Sequence, residues 1–143
     1  MKRFFSAIAL TGLLGVQPMT ASAQDSTDFV SQLEAATLAC AIPDNSVECE
    51  TLLQTLWAQI EAAGLSDEDL ANATALYVDA VVRIARNNPD LSTIAGAAIQ
   101  RVADSPVVDE ATKTALTSVA TNVTNRVANV IVPPIVVKPA SNR

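Results

Sequence analysis

The amino-acid sequence predicts an all-α fold: a small four- or five-helix bundle with a disulfide-clasped N-terminal helical hairpin and an extended, Pro-rich C-terminal tail. Three observations lead there. The stretch from Gly64 to Arg86 carries a complete helix signature, with a cap, an apolar face and an end. Apolar residues recur at three- and four-residue spacing in four further runs, the pattern of one buried helix face. The only two cysteines stand on either side of the first turn signal.

In chain order, Met1-Lys2-Arg3 is a short basic region, Phe4 to Val16 a mostly apolar run, and Ala21-Ser22-Ala23 a small-residue site. That order reads as a secretory signal peptide over residues 1–23, cleaved before Gln24. The apolar run is too short for a permanent anchor, and no cysteine stands at the cut to carry a lipid. The expected location is therefore periplasmic or secreted, by bacterial export, with no transmembrane segment after cleavage. The sequons Asn72-Ala73-Thr74 and Asn122-Val123-Thr124 would matter only in a eukaryotic secretory route. Residues 24–131 then form one helical domain and residues 132–143 the tail.

The first helix of the domain is expected over Thr27 to Cys40, with Phe29, Leu33, Ala36 and Cys40 at helical spacing and Ser26 or Asp25 as its cap. Pro43 stops it, and Ile42 to Ser46 is turn chemistry. Asn45 and Glu48 then stand at capping-box spacing. The second helix runs to Ala63 with Cys49, Leu52, Leu53, Leu56, Ile60 and Ala63 on one side, and Gly64 ends it. Cys40 and Cys49 close the hairpin between these helices. In an exported chain their spacing reads as a structural disulfide, contributing on the order of 2–3 kcal/mol if unstrained.

The third helix has Ser66 as cap and Asp69 three residues on, with Leu65 placed to staple onto Leu70. Asp67, Glu68 and Asp69 complement its dipole at the start, and Arg83 and Arg86 at the end. Its inner stripe is Leu70, Ala73, Leu76 with Tyr77, Ala80 with Val81, and Ile84. Asn87-Asn88-Pro89-Asp90 breaks the chain, and Asp90 is placed to cap a fourth helix from Leu91 to Ala103. Ile94, Ala95, Ala98, Ile99 and Val102 face inward there, and Gly96 permits close approach. Arg83 to Pro89 and Arg101 to Pro106 echo one another faintly, which is either a short helical repeat or similar breaker chemistry at two helix ends. The fifth helix is expected from Asp109 to Val130, with Ala111, Ala115, Leu116, Val119, Val123, Val127 and Val130 inward. Its Thr and Val content lowers propensity, so it depends on packing.

Charge is unevenly spread. From Gln24 to Ala80 there are eleven acids and no Lys or Arg; from Val81 onward there are four acids and seven bases. Either the halves face each other and pair at the rim, each pair worth under about 1 kcal/mol, or they promote self-association or binding of an oppositely charged partner. The excess of acid over base excludes nucleic acid, since no basic patch exists to neutralise phosphates.

The tail, Ile131-Val132-Pro133-Pro134-Ile135-Val136-Val137-Lys138-Pro139, cannot continue a helix. Its apolar residues either lie along a groove of their own bundle or act as a strap on a partner. Trp57 lies beside the second helix's stripe at the core boundary, where an exposed indole would be a partner anchor. The candidate partner-binding residues are accordingly Trp57, Ile131, Val132, Pro133, Pro134, Ile135, Val136 and Val137.

Chemistry is scarce. The chain has no histidine, which excludes His-based triads, relays and metal sites. There is no phosphate-cradling Gly loop, with only four glycines in the whole chain. Asp67, Glu68 and Asp69 point in different directions on a helix, so capping accounts for them better than a metal does. Asp79 stands four residues before Arg83, the spacing of a surface pair. No catalytic residue, cofactor or metal is expected, and the chain is not expected to be an enzyme. The leading expectation is a noncatalytic exported protein that binds a macromolecule, such as a protein partner in the cell envelope. The alternative is a carrier of a small apolar ligand or lipid between helices.

Overall fold

A computed structural model of the chain describes residues 26–143; the expected leader, residues 1–23, and its cut before Gln24 lie outside the described residues. Among those described there are five α-helices and no β-strand: α1 (Ser26–Cys40), α2 (Ser46–Ala62), α3 (Asp67–Asn87), α4 (Ser92–Ala103) and α5 (Glu110–Thr124). Two 3-10 turns, Pro89–Leu91 and Ala140–Asn142, complete the order. No helix among the described residues is long and apolar enough to cross a membrane.

α3 is central because its apolar surface is wider than one stripe. Thr74, Val78, Val82 and Ala85 are buried together with the expected Leu70, Ala73, Tyr77, Ala80, Val81 and Ile84. α1, α2 and α4 all pack on it. Leu76, expected inside, is instead 40% exposed, because it falls at the edge of the surface that α1 covers. The start is as the sequence predicts: Ser66 Oγ accepts the Asp69 N–H at 3.2 Å and donates to the Asp69 carboxylate at 3.0 Å.

Against this helix α2 sets the largest core side chain. The Trp57 and Tyr77 rings lie 5.5 Å apart, tilted by 42°, within the range for favourable aromatic pairs. Tyr77 is fully buried, and its hydroxyl donates to the Leu53 carbonyl at 2.8 Å, satisfying a group that would otherwise cost on the order of 1–3 kcal/mol. Burial drives the phenol far above its ordinary ionisation range, with Arg101 weakly opposing.

At the first turn, Cys40 and Cys49 lie at bonding distance, S–S 2.01 Å with Cα atoms 4.8 Å apart, and both are buried. The Asn45–Glu48 capping box does not form. Asn45 precedes α2 but makes no side-chain cap, because its amide donates backwards to the Ala39 carbonyl at 3.0 Å, which also accepts the Ile42 N–H at the end of α1. Gly64 takes a positive φ of 67° after α2, the C-terminal stop its position predicts.

Asp90 does not cap α4 either. Pro89–Leu91 forms a 3-10 turn that feeds directly into α4, and Ser92 Oγ donates to the Pro89 carbonyl at 2.7 Å. Farther on, Ser105 is buried and donates to the Glu61 carboxylate, fastening the α4–α5 loop to the end of α2.

α5 packs chiefly on α4, and among the described residues this is the helix pair with the most extensive contact. The pair is close because Gly96 has no side chain: a Cβ there would meet Thr124 Oγ1 at 1.9 Å and the Ala120 carbonyl oxygen at 3.0 Å. Along α5 the hydroxyls of Thr114, Thr117, Thr121 and Thr124 each donate to the carbonyl four residues back, so a Thr-rich helix leaves these donors satisfied.

α5 ends at Thr124, six residues before the expected Val130. The Val127 N–H bonds the Asn122 carbonyl at 2.9 Å and the Arg126 N–H the Val123 carbonyl at 3.0 Å, the two bonds of a Schellman cap. Arg126 holds the left-handed position, φ 59°, where glycine is usual. Val127, expected inside, is 49% exposed because the chain has already turned.

Gly96→Ala is expected to destabilise the fold by about 1–3 kcal/mol, measured by chemical denaturation, with partial recovery on adding Thr124→Ala. An unchanged midpoint would show that α5 moves away at no cost.

Candidate interaction surfaces

The tail lies on its own bundle over part of its length. Val137 and Val108 form an isolated antiparallel bridge. The Asp109 N–H donates to the Val136 carbonyl at 3.1 Å and the Lys138 N–H to the Val107 carbonyl at 2.8 Å. The Val136 N–H donates to Thr112 Oγ1 at 3.0 Å. Val130, Val132, Ile135 and Val137 pack on the core, and Arg143 pairs with Asp67, tying the basic half to the start of α3.

Asp109 joins this seam to the start of α5. Its carboxylate caps the helix by accepting the Thr112 N–H at 2.8 Å. The Thr112 backbone N–H and then its hydroxyl favour the ionised form, outweighing a burial effect that opposes them, with the charge of Lys138 adding least, and hold the carboxyl below its ordinary value of 3.8. Thr112 therefore serves the cap and the tail at once. Sequence reasoning missed it, since a Thr on the polar side of a predicted helix gives no signal of a backbone partner 24 residues on.

Of the expected partner-binding residues, Trp57 is removed from the surface. It is 1% exposed, because its position on α2 faces the Tyr77 ring rather than solvent. Ile131 and Val136 are exposed at 82% and 51%; Pro134 is also exposed, and Val132, Pro133, Ile135 and Val137 are half-buried. The backbone around Val136 and Val137 is already bonded, so it has little left to offer an edge strand.

The expected rim of charge pairs between halves is also sparse. Asp79 bonds Arg83 at 2.7 Å within α3, and Asp90 lies 3.8 Å from Arg126 within the basic half. Arg143 with Asp67 ties the end of the chain to the start of α3, whereas Asp79 and Arg83 cross the boundary between halves as neighbours on one helix.

A different apolar surface appears between α1 and α3. Val30, Leu33, Thr37 and Leu38 on one side and Leu76 and Ala80 on the other line an open groove of about 450 Å³. Leu38 is 71% exposed, and Glu34 and Arg83 stand at the edges. The signal for it lies in α1, where residues 30, 34, 37 and 38 repeat at helical spacing beside the core stripe. Ile42 and Val47 extend the exposed apolar surface at the α1–α2 turn. No group of three or more His, Cys, Asp or Glu among the described residues could hold a metal ion.

No protein-family model, no curated protein and no solved structure matches the chain.

The tail seam is expected to respond to acid. Because the Asp109 carboxyl lies lower in the folded state, its contribution is complete above its ordinary value of 3.8 and is lost as pH falls through the lowered value. The backbone NMR signals of Val136 and Lys138 are expected to reach coil positions in acid ahead of those of α3. Thr112→Val should move that release to higher pH. Folded shifts for Val136 throughout the titration would refute the linkage.

Proposed function

We propose that the protein is a noncatalytic exported helical protein that binds another protein, and that the α1–α3 groove receives a cationic amphipathic helix of that partner. The observation that carries this is an open apolar groove with Glu34 on its α1 side and its one lining base, Arg83, already paired. Val30, Leu38 and Leu76 offer the spaced pockets that a helix fills with residues one turn apart. α1 and α2 contain no Lys or Arg, and no base precedes Arg83 in the described chain. Arg83 is already engaged by Asp79. A partner helix with Lys or Arg beside its apolar stripe therefore meets Glu34 on the α1 side of the groove.

The clasped hairpin supports export as well as binding. A disulfide across the α1–α2 turn persists in an oxidising compartment, and closing this loop contributes on the order of 2–3 kcal/mol. It also ends α1 rigidly, so that the exposed Leu38, two residues before Cys40, keeps its place. Export is checked by mass: the product recovered outside the cytoplasm should begin at Gln24 and carry no free thiol. A product retaining Met1, or one with two titratable thiols, would contradict it.

The binding reading is tested with helical peptides of one apolar stripe and either Lys or Glu flanks. The Lys peptide is expected to bind, less tightly as salt rises, and the Glu peptide not to. The double variant Leu38→Asp with Leu76→Asp should keep the native melting behaviour, since both side chains are exposed, and lose at least tenfold in affinity. Equal binding by the variant would remove the groove from the account. Concentration-dependent dimerisation abolished by the same variant would assign the groove to a second copy instead.

A further inference from the structure

A second concavity is lined by other residues of the same half of α3. The C-terminal half of α3, the start of α4 and the loop after α5 enclose a cleft of about 280 Å³, below the drug-sized range and suited to a small ligand. Val82, Ala85, Val123 and Val127 form apolar walls, and Arg86 and Arg126 are both among its lining residues. We propose that this cleft binds a small amphipathic monocarboxylate, its hydrocarbon chain between the valines and its carboxylate between the two guanidinium groups.

Three features support that class of ligand. First, two cations line an otherwise mainly apolar cleft, and guanidinium groups match carboxylates in geometry as well as charge. Their present partners are weak: Arg86 reaches the Val130 carbonyl only at 3.5 Å, and Arg126 lies 3.8 Å from Asp90, whose side chain is 92% exposed. A carboxylate has little to displace.

Second, Arg126 occupies a position that the backbone would rather give to glycine. It is the left-handed residue of the Schellman cap, φ 59°, where a side chain costs energy that glycine avoids. Favourable interaction with the helix dipole does not require this, because a base at Thr124 or Asn125 would gain it without a positive φ. What the left-handed position does supply is a direction: the chain reverses there, and the Arg126 side chain becomes part of the cleft that the reversed loop closes. Strain kept at one residue is more often found where a site needs it. Third, Asn129 in the same loop also has a positive φ, 61°, so the wall facing α3 is shaped by two such residues.

The site is separate from the α1–α3 groove, shares no residue with it, and does not rest on the protein-binding reading. It gives the alternative of a ligand carrier a specific place and a charge.

The test is titration of the oxidised full chain with octanoate, kept below its micelle concentration, and with octan-1-ol as the uncharged match, both read by backbone NMR. Octanoate is expected to give saturable shifts at Val82, Val127 and Val130, and the alcohol to bind at least tenfold more weakly. Arg126→Gly should weaken octanoate binding at least threefold with no fall in the denaturation midpoint. That combination separates a ligand role from a structural one. Arg86→Gln should act in the same direction, and the double variant should lose at least tenfold. Equal affinity for acid and alcohol, unaltered binding by Arg126→Gly, or shifts confined to the α1–α3 groove would each overturn the proposal.

Discussion

Gly96 lets α4 and α5 approach until Thr124 and Ala120 occupy the space a side chain would need, and the placement of α5 depends on that contact. α5 has no other extensive helix neighbour, and its Thr and Val residues give it little helical tendency of its own. Packing against α4 is what makes it a helix. The tail seam at Asp109 and Thr112 lies at one end of α5, and the loop carrying Arg126 at the other, so both are placed by the same close approach. The N-terminal side depends on a different anchor, the buried Tyr77 hydroxyl on the Leu53 carbonyl beside the Trp57 ring.

These two anchors explain why the concavities are at the edges. With aromatics so few, the centre is filled by the one Trp–Tyr pair and by Val, Leu and Ala side chains on α2, α3 and α4. Helices carrying small residues approach until the space between them is used. Open apolar surface is left where a helix has neighbours on one side only: beside α1, and beyond the end of α5. Surface that is apolar and uncovered is the usual mark of binding, and both places lie within reach of a distinct charge environment.

What could be read in the sequence was local. The Ser66 cap, the Gly64 stop and the apolar faces of α1, α2 and α4 follow from residues within one or two turns of each other, and those neighbours determine them in the structure too. The expectations that failed were set by partners distant in sequence or by competing local bonds. Asn45 has the spacing of a cap but finds a better acceptor in Ala39 at the end of the previous helix. Asp90 precedes an apolar run, yet Pro89 and Leu91 close a 3-10 turn before any cap is needed. Trp57 could not be assigned to core or surface because its stripe position is marginal, and the decision belongs to Tyr77 on another helix. The end of α5 was hidden because Arg126 stands where a glycine would have announced it.

The division of charge along the chain takes on a different meaning once the ion pairs are placed. If the acidic and basic halves existed to hold each other, pairs would line the contact between α1–α2 and α4–α5; instead Asp79 and Arg83 pair within one helix, and Arg126 sits near an acid of its own half. A tie between residues distant in sequence is made at the chain's very end, by Arg143 with Asp67. Exposed pairs of this kind contribute under about 1 kcal/mol each, too little to organise a bundle whose core already does so. Separated charge that does not stabilise the fold still sets a field at the surface. On the proposed reading, Glu34 favours a cation at the α1–α3 groove and Arg86 with Arg126 an anion in the cleft, so that the two sites differ in the charge they select.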